Sequence, residues 1–150
     1  MAIKRKRKVN KETKTWKLKE IRKLRNKALK LWAVAVKVRA GFVCEYPGCG
    51  ATEMLNSHHI ESRSNRALRL ALENGVCACV IHHKWGKEAF HRSFVAAYKC
   101  LTQKRQADLD CLIKHYLDDL VETKEYLEAK IQEFTIIINE DMKNDSILPG

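Results

Sequence analysis

Apolar residues in the first third of the chain recur with the spacing of a helix. Leu24, Ala28, Leu31, Ala35 and Val38 fall three or four positions apart, with Trp16, Ile21 and Trp32 near the same line. One buried face of an α-helix has this pattern. It predicts a helix over residues 13–41, ended by Gly41. A second helical pattern covers residues 92–140. Leu109, Leu112, Ile113, Tyr116, Leu117 and Leu120 form an apolar stripe, and Leu127, Ile131 and Phe134 resume it after a break near Glu122–Thr123. Core packing of a helical extension explains the stripe; a dimer face is the alternative. Between these stretches the pattern shortens to two strand-like runs, near Leu55–Ile60 and Val76–Val80. Two strands of that length cannot build an independent core.

Charge sharpens the division. Residues 1–40 carry 16 Lys/Arg against Glu12 and Glu20, a net of +14 within a whole-chain net of +11. Residues 41–107 are at +4, and residues 108–150 are at −7. Lys4, Arg5, Lys6, Arg7 and Lys8 repel one another and lack apolar neighbours, so residues 1–12 are expected as a disordered basic arm. The helix that follows displays Arg22, Lys23 and Arg25 beside further lysines. A basic arm joined to a basic helix implies a polyanionic partner, most simply nucleic acid. A solvated helix face, or an import signal in the arm, are the plainer explanations. The resulting order is arm 1–12, basic helix 13–41, central core 42–98, helical extension 99–140 and flexible tail 141–150, a single mainly helical unit.

A hydrophobic share of 45% excludes wholesale disorder. No apolar run approaches the roughly 18 residues of a membrane span. The N-terminus also lacks the apolar core of a secretory signal, so an intracellular, cytoplasmic setting is expected. In a reducing compartment the six cysteines are thiols or metal ligands rather than disulfides.

Cys44 and Cys49 are spaced by a Pro-Gly turn that lets two thiolates face one ion. Cys79 and His82 form a second ligand pair. Together they make a Cys3His set suited to a structural zinc. Cys77 is a rival to Cys79, since alternate residues of a strand share a face; Cys79 is favoured because its spacing to His82 closes a knuckle. Cys100 and Cys111 fall in helical, apolar surroundings and read as core thiols.

Interleaved with these ligands are His58-His59, Asn74 and His83. This order, His-His ending a first strand, Asn opening a second, then a zinc knuckle running into a His, resembles the HNH endonuclease family. The resemblance spans about 50 residues, roughly Phe42 to His91. The stretch from His58 to Asn65, with Arg69 and Asn74-Gly75, is similar to phage-type members, some linked to recombination and replication. A bacterial or phage-infected cell is the implied setting.

The resemblance implies a ββα-metal (His-Me finger) core stapled by zinc, with a basic helix before it and helices after it. It also implies a metal-dependent DNA endonuclease. His59 is then the general base, His58 and His83 hold a catalytic divalent ion (Mg2+, Mn2+ or Ni2+), and Asn74 orients the His59 loop. The family's further metal-binding His, four residues after His83, is replaced by Lys87. His91 is either the displaced third ligand, if Gly86 lets the segment bulge, or a surface histidine. Arg63, Arg66 and Arg69 are candidates for gripping phosphates of duplex or branched DNA, or ordinary surface arginines. Weak sequence preference is expected, because no base-reading module accompanies the core. A zinc-supported DNA-binding module would leave His58, His59, Asn74 and His83 without a task; an RNA-directed nuclease would use the same residues.

Overall fold

The computed structural model describes the backbone of residues 2–145 and the side chains of residues 13–103 and 105–144. The molecule is mainly helical, with 56% of residues in helices and one small antiparallel sheet. Helix α1 (Ala2–Arg39) is followed by β1 (Leu55–His59), β2 (Gly75–Cys79), a single π turn (Ile81–Trp85), α2 (Phe94–Lys104), α3 (Gln106–His115) and α4 (Lys124–Asp145). Gly41 and Phe42 turn the chain out of α1 with positive φ angles of 59° and 52°.

Two clusters of buried side chains flank the sheet. On one side Ala28, Trp32, Ala35 and Val36 of α1 meet Leu70, Cys77, and Leu127 and Phe134 of α4. On the other, Ile60, Leu68, Val76, Ala78 and Phe90 meet Ala96, Ala97, Leu101, Leu109 and Leu112 of α2 and α3. Five-residue strands gain little by themselves, and these two faces supply the burial that holds them. The strands pair in antiparallel register, with Leu55 opposite Cys79, His58 opposite Val76 and His59 opposite Gly75.

The turn entering β2 would leave several carbonyls unpaired. Arg39 donates to the carbonyls of Leu72 and Gly75, and Arg105 to those of Gly75 and Glu73. Glu45 receives both guanidinium groups and also accepts the Cys77 N–H at 2.7 Å. Desolvated backbone groups demand such partners.

The helical content matches the apolar periodicity, but the ends and the C-terminal stripe differ. Helix α1 begins at Ala2, where residues 1–12 were expected as a disordered arm. Met1 and the side chains of residues 2–12, with the anticipated phosphate contacts of Lys4, Arg5, Lys6, Arg7 and Lys8, lie outside the described residues. Helix α4 runs to Asp145, past the expected end at 140; residues 146–150 of the expected tail also lie outside the described residues. The extension is three helices rather than one pattern with a break, and α2 crosses the expected boundary at residue 98. Only Leu109 and Leu112 of the first stripe are buried, while Ile113, Tyr116 and Leu117 are exposed. The ten-residue α3 presents a single narrow face, Leu109 and Leu112, to the core; Ile113 lies within the helix but off that face, and Tyr116 and Leu117 follow its end. Among the described residues no helix is long and apolar enough to cross a membrane.

Gly75 marks the closest approach of α1 to the sheet. A Cβ there would collide with Val36 Cγ2 and lie 3.0 Å from Trp32 Cζ2. Gly75→Ala should therefore destabilise the fold by about 1–3 kcal/mol through overpacking, and Val36→Ala in the same chain should return part of the loss. Urea unfolding of the two single variants and the double variant checks this.

Candidate functional site

Cys44, Cys49, Cys79 and His82 converge from the two ends of the core. Gly48 and Gly50, at φ of 77° and 66°, take backbone conformations that side chains rarely adopt, and they fold the Cys44–Cys49 segment into a tight knuckle. The π turn swings His82 back over the end of β2. All four ligand atoms lie within 4.8 Å of one another. Cys49 Sγ is 3.8 Å from Cys79 Sγ, and His82 Nδ1 is 3.7 Å from Cys44 Sγ and 3.4 Å from Cys79 Sγ. A tetrahedral zinc with ordinary bond lengths has edges of about 3.8 Å between sulfurs and about 3.6 Å between sulfur and nitrogen. The group could thus hold a metal such as zinc.

Electrostatics fit the same reading. Burial pushes the Cys44 thiol up to about 12, a cost that a cation removes. At Cys79 burial acts in the same direction, but backbone N–H groups of His82 and Ile81 and the Cys49 and Cys44 thiols outweigh it and lower the pKa. Tyr46 stacks on His82 with ring centres 3.9 Å apart, fixing the imidazole plane. Cys77 is excluded from the set: it is buried against α1 and α4. Cys100 is buried and Cys111 half-buried, and neither belongs to a group that could hold a metal.

The second constellation is His58, His83 and His91, whose ligand nitrogens also lie within 4.8 Å of one another. His91 does not reach it along a continuous helix. The chain leaves the π turn at Gly86, which is extended, and doubles back, so that Phe90 and His91 donate backbone hydrogen bonds to His82 and His83. His91 Nε2 then lies 3.2 Å from His83 Nε2, within the roughly 3.0–3.4 Å separating two imidazoles on one ion. Burial, then the neighbouring histidine charges, lower His58 to about 4. Burial, then His91 and Lys84, lower His83. Both imidazoles are held neutral, as metal ligation requires.

His59 points into the same open cavity of about 470 Å³, lined by Ser57, His58, His59, Ser62, Arg63, His83 and His91. Its ring stacks on Trp32 at 3.7 Å between centres and 13° between planes. Its Nε2 is 2.9 Å from the Arg69 carbonyl. A carbonyl only accepts, so neutral His59 carries its proton on Nε2 and leaves the Nδ1 lone pair free. Burial, joined by the charges of Arg63 and Arg69 and opposed by that hydrogen bond, lowers His59 to about 4. Asn74 is wholly buried. It accepts the Glu61 N–H at 2.6 Å and donates to the carbonyls of Glu61 and Leu68 at 3.1 Å each. It thus ties down both ends of the loop between His59 and Arg69, rather than His59 itself.

Of the three loop arginines, only Arg63 lines the cavity. Arg66 pairs with Asp119 at 2.9 Å on the surface. Arg69 is turned inward against Glu122 at 3.3 Å, and Arg25 of α1 meets the other oxygen of Glu122 at 2.5 Å. Arg25 is therefore a structural partner rather than a free surface cation. Arg22 and Lys23 remain exposed on α1. The Arg25–Glu122–Arg69 bridge has no sequence signal, because Glu122 lies in an acidic run and nothing local distinguishes it from Asp118 or Asp119. No protein-family model, curated protein or solved structure matches this chain.

The purified protein should hold about one tightly bound zinc per chain by elemental analysis, and Cys49→Ser should lose it together with cooperative unfolding, since ligation and folding are coupled. Glu122→Ala strands two guanidinium groups, one of them largely buried, and should cost about 3–5 kcal/mol in denaturant titrations.

Proposed function

We propose that this protein is a metal-dependent DNA endonuclease of the HNH type, with a ββα-metal core and a structural zinc. One observation carries the reading: a histidine with a fixed tautomer and a free Nδ1 shares one polar cavity with a three-histidine cluster. A zinc-supported binding module needs the Cys3His group but has no use for that arrangement.

The cavity residues divide the work of phosphodiester hydrolysis. His59 takes a proton from the attacking water at Nδ1, and the Arg69 carbonyl stabilises the imidazolium that forms. Its lowered pKa keeps it neutral at physiological pH, and a negatively charged phosphate in the cavity raises its proton affinity during reaction. Arg63 is placed to neutralise a non-bridging oxygen. The water's oxygen bonds to phosphorus as the bond to the leaving oxygen breaks, and that oxygen acquires its proton from solvent. His58, His83 and His91 would hold a divalent ion, which supplies charge stabilisation at the phosphate and leaving oxygens. Three imidazoles suit Mn2+, Ni2+ or Zn2+ better than Mg2+, which prefers oxygen donors.

His59→Ala should retain its zinc and its DNA affinity while losing about 10²- to 10⁴-fold in cleavage rate. Activity should be higher with Mn2+ or Ni2+ than with Mg2+ at equal concentration. Plasmid nicking by both proteins, with binding measured in parallel, tests the reading. Wild-type binding without metal-dependent cutting would favour the binding module, and preferential cutting of RNA would move the substrate class.

A further inference from the structure

The cations on the folded surface are not equally engaged. Arg25, Arg39, Arg66, Arg69 and Arg105 each meet a carboxylate. On α1, by contrast, Lys19, Arg22, Lys23, Asn26, Lys27 and Lys30 line one groove of about 440 Å³. Among the described residues, none of the five cations in it has an ion-pair partner. The nearby Glu20 is directed to Lys124 instead, at 3.0 Å. Five like charges held side by side on a rigid helix repel one another, and no carboxylate among the described residues relieves them.

One edge of the groove, at Arg22 and Asn26, shares a helical line with the α1 residue that meets the cavity wall, while Lys23, Lys27 and Lys30 lie roughly 60–120° round the helix from that line. Arg22, Asn26 and Ala33 fall within about 20° of one line along α1, at 3.6 residues per turn. At Ala33 the helix meets the sheet, where its carbonyl accepts a hydrogen bond from Ser57 Oγ. Ser57 is itself part of the cavity wall beside His58 and His59. From Arg22 to Ala33 the helix rises about 16 Å at 1.5 Å per residue, the length of about five base pairs at 3.4 Å each.

We infer that α1 is a one-sided track for the backbone of duplex DNA, carrying the duplex away from the scissile phosphate in one direction only. The direction relative to the cut rests on the nuclease reading; the binding surface does not. The groove contains no aromatic side chain, so it offers phosphate binding without the stacking platforms that single strands use. A membrane surface is a poorer partner, because the apolar face of this stretch, Ala28 with Trp32 and Ala35, is already buried, and interfacial helices need that face free.

The test uses the full chain with Arg22, Lys23, Lys27 and Lys30 all changed to Gln. These side chains are exposed, so zinc content and circular dichroism should match wild type. Fluorescence anisotropy with a 20-base-pair duplex, without divalent ion, is read across a salt series. The slope of log affinity against log salt should fall by about 0.9 for each phosphate that the variant no longer neutralises. A control with Lys114→Gln and Lys143→Gln should leave the slope unchanged. Hydroxyl-radical protection by the His59→Ala protein should extend about five base pairs further on one side of the cleavage position than on the other. An unchanged slope in the quadruple variant overturns the proposal, as does a symmetric footprint or tighter binding to an RNA hairpin than to duplex DNA. Wild type that binds with the full slope but never cuts overturns the nuclease reading and leaves the track standing.

Discussion

Trp32 is where the scaffold and the chemistry become one problem. Its side chain is almost wholly buried between α1 and α4, its indole N–H donates to the Ala71 carbonyl at 2.9 Å, and its ring face lies on His59. It can occupy that position only because β2 opens with Gly75, which lets α1 approach the sheet without a side chain between them. The imidazole that needs a defined orientation is thereby clamped between an aromatic plane and a backbone carbonyl. In the proposed mechanism this imidazole is the general base; carried on a five-residue strand it would otherwise move with every fluctuation of that strand, and misplacement by about 1 Å is costly in catalysis.

The rest of the architecture serves the same end by restraining the ends of very short elements. The Cys3His group gathers the start of the core against the end of β2, where a metal such as zinc could pin the two together. Asn74 spans the loop between His59 and Arg69, and Glu122 draws the Arg69 side chain inward while the Arg69 carbonyl faces His59. Arg25 extends that link to α1, so three distant stretches of chain meet at one buried carboxylate. Buried ion pairs are weak evidence for net stability. Here the bridge fixes the carbonyl that selects the His59 tautomer, a contribution to geometry rather than to the depth of the folding minimum.

Much of this was legible in the chain itself, for identifiable reasons. Helix α1 was visible because its buried face repeats at three- and four-residue intervals. The Cys3His group was visible because ligand spacing is a local property of knuckles. The structure also places Cys79, rather than Cys77, with His82. The grouping of His58 with His83 followed from order along the chain. Three things were not legible. Ile113, Tyr116 and Leu117 look like core at helical spacing, yet burial depends on how wide a face the helix turns to its neighbours, which leaves out Ile113, and on where the helix ends, which leaves out Tyr116 and Leu117. Arg66 and Arg69 look identical in sequence to Arg63; only tertiary placement of Asp119 and Glu122 separates structural arginines from the one at the cavity. His91 was ambiguous because an eight-residue separation means one thing on a helix and another across a reversal at Gly86.

The two groups that could hold a metal differ in a way that follows from their surroundings. In the first, Cys44 and Cys79 are buried and the ligand set is complete, with four protein donors and no space for a fifth partner in a tetrahedral shell. In the second, three imidazoles face an open polar cavity, and His91 is exposed, so any ion there keeps positions for solvent or substrate. The first geometry suits stability and the second suits exchange. They are adjacent in sequence, at His82 and His83, because a π turn directs successive side chains to different sides of one backbone segment. Substituting either histidine should therefore impair one group selectively: loss of His82 threatens the fold, whereas loss of His83 leaves the knuckle intact and empties only the cavity of a ligand.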